Sequence, residues 1–456
     1  MTMESKQTTN TLSPGEIQLA KDCLAFAQQE GAQQVRITLS KSLMNLTGVL
    51  NGEVDKVAHA LDRSLQLQVF ADGKFGAFSS NRLEKEELKA FVREAVRTVK
   101  MLEPDACRRL PDPERCVRDA RDGKELELYD PVHETLCPED RKRLALRSAA
   151  WPEKKRLEQG FTLIAEEGEY SDSVFDSLTI DSQGLYARHT ETSFEIGYES
   201  TVEDAQGNHY SSFWWDASPR MKDLQWEGCA HKACLRAAEQ MGPKSIPGGK
   251  YSLIVDSECA SKLLTPVLNA LGGYSLQQNN SFLADSLGKQ RFPEVLTIMD
   301  CPQVPGQTGC RRFDSEGVAT REMPIIEKGV VRNCFINTYI AGKTGWAPTI
   351  EDATRVVLQP IGPCKSLDDL LAAVGDGILV TGFNGGNSNP ATGNFSYGIE
   401  GFLIRNGKRV HPVREMLITG NFLQLWGDIF ATADDARPCL TKSIPSLAFK
   451  NVDFSA

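Results

Sequence analysis

The chain has 456 residues, 41% of them hydrophobic, and a formal net charge of −10. That length exceeds one compact domain and supplies apolar material for two or three cores. The acidic balance argues against nucleic-acid binding, which needs a basic face, and no apolar run reaches the roughly 18 residues of a membrane helix; the expectation is a soluble, cytoplasmic protein without nucleic-acid or membrane contact.

The polar opening MTMESKQTTNTLSP has no basic-then-apolar targeting pattern and is expected to fray. Ser13-Pro14-Gly15-Glu16 then marks a helix start, with a serine N-cap, proline at the first helical position and glutamate completing a capping box. A meander follows: VRITLSKSLMNLTGVL, the turn Asn51-Gly52, EVDKVAHAL, SLQLQVF, the turn Asp72-Gly73, and KFGAFSS. The two dipeptides favour the positive φ angles of tight hairpin turns, and the spacing predicts four strands. Asn81 with Glu84 predicts the next helix start, with Leu88, Val92, Ala95 and Val99 on one face. The fold class is therefore α+β, helices covering an antiparallel sheet.

Residues 103–136 are rich in proline and charge and predict a linker-like excursion. A helix over Cys137–Gln159 leads to a second β-run with turns at Gln183-Gly184 and Gly207-Asn208, then to a helix over Asp223–Met241 ending at Gly242-Pro243. The predicted boundary places an N-terminal α+β domain over 1–245 and a β-rich C-terminal domain over 246–456. The latter opens with the strand YSLIVD and a helix from Ser257, in which Pro266 predicts a kink.

Metal-ligand spacing is scarce. The twelve cysteines show no zinc-ribbon or C-x-x-C pattern and predict free thiols in a reducing compartment. Cys229, His231 and Cys234 share a helical segment, where residues five apart diverge by about 140°, so they predict packing rather than ligation. His189 and His209 read as sheet-surface residues, and His411 as an ordinary strand residue. In Asp314-x-Glu316-Gly317, two carboxylates fall on the same side if the segment is extended. They could hold a cation or polarise water; the competing reading is a turn that Asp314 caps and Gly317 closes with a positive φ.

The organising stretch is Gly377–Trp426. Asn406-Gly407 predicts a hairpin between two β-rich runs. Before it, Gly382, Gly385, Gly386 and Gly393 alternate with Asn384, Asn387, Asn389 and Asn394, a composition that exposes backbone and builds no core. It predicts a surface loop whose amides are open to a ligand or a second chain.

D-x-E-G-x-x-T-R (Asp314–Arg321), N-T-Y-I-A-G-K-T-G (Asn337–Gly345), T-G-N-F-S-Y-G-I-E-G (Thr392–Gly401), P-V-R-E (Pro412–Glu415) and I-T-G-N (Ile418–Asn421) together resemble the TldD/PmbA family, once called modulators of DNA gyrase. The resemblance implies a two-part α+β chain that dimerises and accepts extended peptides. The family's catalytic branch carries H-E-x-x-x-H on the helix after the first C-terminal strand, with a cysteine ligand near the final hairpin. Here that helix reads Ser257-Glu258-Cys259-Ala260-Ser261-Lys262-Leu263-Leu264, with no histidine, and Asn394–Gly420 holds no cysteine. The chain therefore resembles the metal-less PmbA/TldE branch. The resemblance implies a non-catalytic subunit, no metal of its own, zinc in a TldD-like partner, and pairing with that partner or with itself. The implied peptide cleft takes Gly382, Gly385, Gly386, Asn387, Gly393, Asn394 and Ser396. Alternatives are a self-sufficient hydrolase using Asp314 and Glu316, and a protein-binding modulator of DNA gyrase.

Overall fold

A computed structural model describes residues 10–149 and 160–455. Residues 1–9, where fraying is expected, and residues 150–159 of the expected Cys137–Gln159 helix lie outside the described residues. Helix α1 (Pro14–Gln29) starts on the anticipated box: the Ser13 side chain accepts from the Glu16 amide, and Glu16 accepts from the Ser13 amide. Strands β1 (Gln34–Leu50), β2 (Glu53–Ala71) and β3 (Lys74–Ser80) follow, then α2 (Lys85–Val99). Both turns adopt the expected backbone, with φ of 50° and 84° at Asn51-Gly52 and 54° and 72° at Asp72-Gly73.

Three strands stand where the spacing predicts four. EVDKVAHAL and SLQLQVF form one strand, β2, because the intervening Asp62-Arg63 has no breaker and both residues stay in register on β1, opposite Ser42 and Lys41. The α2 helix begins later than expected, at Lys85 behind an N-cap Glu84 that makes no side-chain cap.

After α3 (Pro138–Ala149) come β4 (Phe161–Asp181), β5 (Tyr186–Asp204) and β6 (His209–Ser218), which extend the first sheet rather than build another. β4 pairs with β1 over fifteen residues, Arg36 to Leu50 against Asp181 to Glu167, giving one antiparallel sheet in the order β3-β2-β1-β4-β5-β6. The core packs Ile37, Leu39, Leu65 and Leu67 of this sheet against α1 and α2. A second core packs Tyr170, Phe194, Ile196 and Tyr198 against α4 (Cys229–Glu239). That helix starts at Cys229 rather than near Asp223, because Gly228 turns the chain left-handed at φ 74°.

The C-terminal part holds β7 (Gly249–Val255), α5 (Ser257–Ala270), α6 (Gly273–Gln277), β8 (Ile298–Asp300), β9 (Met323–Glu327), β10 (Val330–Val331), α7 (Thr338–Thr344), β11 (Val356–Leu358), α8 (Leu367–Val374), β12 (Gly377–Ser388), β13 (Asn394–Arg405), β14 (Lys408–Asn421), α9 (Phe422–Gly427), β15 (Ile429–Thr432) and β16 (Leu447–Ser455). Its large sheet runs β14-β13-β12-β7-β16-β15, with only β7 and β12 parallel. One face packs on α5 through Leu263, Leu264 and Val267, and the other on α8 through Leu370 and Leu371.

Residues 103–136 run across both parts. The Val117 amide donates to Gly317 O at 3.0 Å, while Ala120 O and Leu128 O accept from the β5 amides of Arg188 and Thr192. No described helix is long and apolar enough to cross a membrane.

Candidate functional site

The glycine/asparagine stretch forms ladder strands rather than a loop. β12 is buried from Ile378 to Val380, held by β13 on one side and by β7 on the other. The β7 side then stops: Asp256 donates its amide to Val380 O and the chain enters α5. From Thr381 to Ser388, β12 has β13 on one side and, among the described residues, no strand on the other. Two register shifts, at Val380/Gly382 and Phe383/Gly386, bend this edge, and Asn384–Asn387 are exposed. Gly386 has φ 97°, and a Cβ there would lie 2.0 Å from Ser396 O, so the bulge admits glycine alone.

The expected cleft residues divide accordingly. Gly382, Gly385, Gly386 and Asn387 lie on the open edge. Asn394 and Ser396 lie on β13, whose backbone pairs on both sides, with β12 and with Asn421 and Thr419 of β14. Gly393 packs at the tip beside Phe282, where a Cβ would sit 2.9 Å from the ring. Asn389 and Asn394 shape that tip: Asn389 Oδ1 accepts from the amides of Ala391 and Thr392, and Asn394 Oδ1 accepts from Asn421 Nδ2 at 2.9 Å. The open edge is therefore shorter than the composition suggested, Thr381 to Ser388.

Helix α5 stands beside the start of this edge. Asp256 caps it by accepting from the Glu258 amide. The Cys259 thiol reaches Val380 O at 3.6 Å, and burial pushes its pKa up, keeping it a thiol. One turn on, the Lys262 ammonium sits 5.0 Å from the Tyr397 ring centre, which in turn meets Phe383 edge-on. Glu258 points elsewhere, to Arg437 at 3.2 Å and Arg236 at 3.4 Å. Burial raises the Glu258 pKa, and the two arginines oppose that shift. Arg437 stacks 4.2 Å over Trp214, and Lys232 lies 3.2 Å from the same ring centre. This charged cluster faces a cavity of about 610 Å³ that Ser257 and His231 also line.

Helix α5 holds no histidine, and its polar side chains do not fit a zinc ion. Ser257 is a hydroxyl, Glu258 is engaged by two guanidinium groups, and the Lys262 ammonium would repel a dication. Among the described residues, no three His, Cys, Asp or Glu side chains gather as a ligand set. Cys229 and Cys234 are buried in the α4 core. His189 and His209 sit on β5 and β6 beside Glu191 and Glu203. His411 on β14 faces Pro412 O. His133, whose following Glu134 starts no zinc motif because no second histidine comes one turn on, is buried, its Nε2 2.8 Å from Asp172 in a network with Arg141 and Asn45.

Asp314 and Glu316 lie in a turn and not on an extended strand. Asp314 Oδ1 accepts from the amides of Glu316 and Val318, Oδ2 from that of Glu351, and Gly317 takes φ 75°. Glu316 looks away, accepting from the amide and hydroxyl of Thr338. Asp314 is 2% exposed, and burial together with the Glu351 charge raises its pKa to about 6. The pair pins three segments together and presents no open carboxylate pair to a substrate.

Two family descriptions match the chain: a PmbA/TldA metallopeptidase domain 1 over residues 35–99 and a PmbA/TldA metallopeptidase C-terminal domain over residues 248–456. The metalloprotease PmbA of Escherichia coli O157:H7 is 27% identical over 419 residues, covering 90% of this chain and 89% of that protein. A protein from Bacteroides thetaiotaomicron described as a modulator of DNA gyrase superposes with a TM-score of 0.92 at 36% identity, covering 97% of this chain and 99% of that one. TldE from Thermococcus kodakarensis shares the fold, with a TM-score of 0.83 at 21% identity and coverage of 96% and 100%.

Proposed function

The chain belongs to the PmbA/TldD family, and from that premise we propose that it is the non-catalytic, TldE-like subunit of a zinc peptidase acting on peptides and small unfolded proteins. One juxtaposition carries the reading. A strand edge, Thr381–Ser388, with no second strand partner among the described residues, runs beside helix α5, which holds no histidine. The edge offers amides and carbonyls to an extended peptide in the manner of an added strand, which favours length over sequence. The helix offers no histidine to hold a nucleophile-generating metal. Zinc, its bound water and the general base would come from a TldD-like partner, with this chain supplying one wall of the cleft.

The test is metal analysis and peptide turnover of this chain alone, of a TldD-like partner alone, and of the two together. The expected result is no tightly held zinc and no turnover for this chain, zinc in the partner, and turnover that rises when the two are mixed and sediment as one species. One zinc per purified chain, or turnover by this chain alone, overturns the proposal.

A further inference from the structure

A second polar concavity lies away from α5, between the first sheet and the Asp314–Gly317 turn. It has a volume of about 210 Å³ and is lined by Arg36, Arg108, Arg109, Glu316, Tyr339 and Glu351, among others. Arg36 projects from β1 on the face opposite the α1/α2 core, with a side chain only 4% exposed. Its Nε and Nη2 are buried without a hydrogen-bond partner. The nearest carboxylate oxygen, Asp181 Oδ2, is 3.5 Å away, and Asp181 Oδ1 already accepts from the amides of Gln183 and Leu185. A buried guanidinium left in this state is costly, and a fold retains it at small cost only if something else meets it.

Asp181 thus balances the Arg36 charge without hydrogen-bonding it, and the rest of that wall has no ion pair among the described residues. Arg108 stacks 3.5 Å over Tyr339 and 5.0 Å from Phe75, which fixes its plane. Among the described residues, neither Arg108 nor Arg109 has a carboxylate within ion-pair distance. The acidic residues of the same cavity are occupied differently: Glu316 is bound by Thr338, and Glu351 by the amide and hydroxyl of Ser315. The two charge signs thus line one cavity without pairing with each other. A lone anion would meet the two glutamates, and a lone cation the three arginines. A molecule carrying both charges a few bonds apart meets neither objection.

We propose that this cavity binds a small zwitterion, a free amino acid or short peptide, with its carboxylate on the Arg36, Arg108 and Arg109 wall and its ammonium toward Glu316 and Glu351. Guanidinium groups recognise carboxylates through paired N–H donors. The volume suits such a molecule rather than a single water, whose share of the liquid is about 30 Å³. The inference needs no partner subunit and no turnover, so its failure and that of the peptidase reading are separable.

The experiment is isothermal titration of the full chain with alanylalanine, its C-terminal amide, its N-acetyl derivative and inorganic phosphate. The expected result is one dipeptide per chain, with affinity about tenfold lower for the amide and for the acetylated form. Arg109→Glu, at an exposed position, should weaken dipeptide binding by about tenfold while leaving Tm unchanged. Arg36→Gln should do the same if it folds; the Arg109 variant keeps the test valid if it does not. Absence of dipeptide binding, equal affinity for the amide, phosphate binding as tightly as the dipeptide, or unchanged affinity in Arg109→Glu each overturns the proposal.

Discussion

Asp314–Gly317 and Thr381–Ser388 are both rich in turn-forming and polar residues, and both drew attention as candidate sites, yet they end in opposite states. In the first, both Asp314 oxygens accept from backbone amides, and Glu316 is held by Thr338. In the second, one side of β12 has no strand partner among the described residues after β7 gives way to α5. The carboxylates looked more chemical, but they are spent on holding the fold; the glycines looked like filler, but they leave backbone groups open.

The largest effect expected from this contrast separates two adjacent glycines. Gly386→Val would drive a Cβ to 2.0 Å from Ser396 O at φ 97°, whereas Gly385, at φ 131°, faces open space. Backbone strain and overpacking together should cost Gly386→Val roughly 3 to 5 kcal/mol, and strain alone should cost Gly385→Val about 1 to 2 kcal/mol. Denaturant titration reads both. Equal losses would mean that the bulge is not built on Gly386.

A smaller effect comes from the closed turn. Asp314, with its pKa raised to about 6, binds its proton more tightly folded than unfolded. Its contribution is therefore neutral below about pH 4, turns increasingly unfavourable as pH rises toward 6, and is at its full cost above that. The predicted loss across that window is about 3 kcal/mol. Asp314→Asn should flatten the slope of denaturation midpoint against pH between 4 and 6 while leaving turnover by an assembled complex within about twofold. Collapse of turnover would move Asp314 from scaffold to chemistry and revive the self-sufficient hydrolase.

What the sequence revealed follows the range of the forces involved. Ser13 with Glu16, and the turns at Asn51, Asp72 and Asn406, are local chemistry, and all four form as read. The pairing of β1 with β4 joins residues more than a hundred positions apart, so no local pattern announces that the two β-runs make one sheet. The open edge was half legible: glycine and asparagine marked exposed backbone, but its start depends on where β7 ends beside Val380. Arg36 was missed because VRITL alternates normally, and a charged residue on the polar face of a strand carries no signal until that face is covered. The Glu258 cluster was not legible, since Arg437 and Arg236 arrive from segments distant in the chain.

The smallest expected effect probes the edge itself. If peptides add to Thr381–Ser388 as a strand, each main-chain hydrogen bond contributes about 1 kcal/mol net. Methylating one peptide nitrogen that faces the edge removes one donor and should raise KM about fivefold at nearly constant kcat. Methylating the next nitrogen along, which points away from the edge, should change little, because donors alternate sides along a strand. Turnover of a methylation-scanned peptide by the assembled complex should therefore show a period of two in KM. The glycines would make the same strand tolerant of many side chains, so alanine scanning of that peptide should give no matching period. A methylation profile with no alternation would leave the open edge exposed but unused, and the distinction between the two stretches would then be one of folding alone.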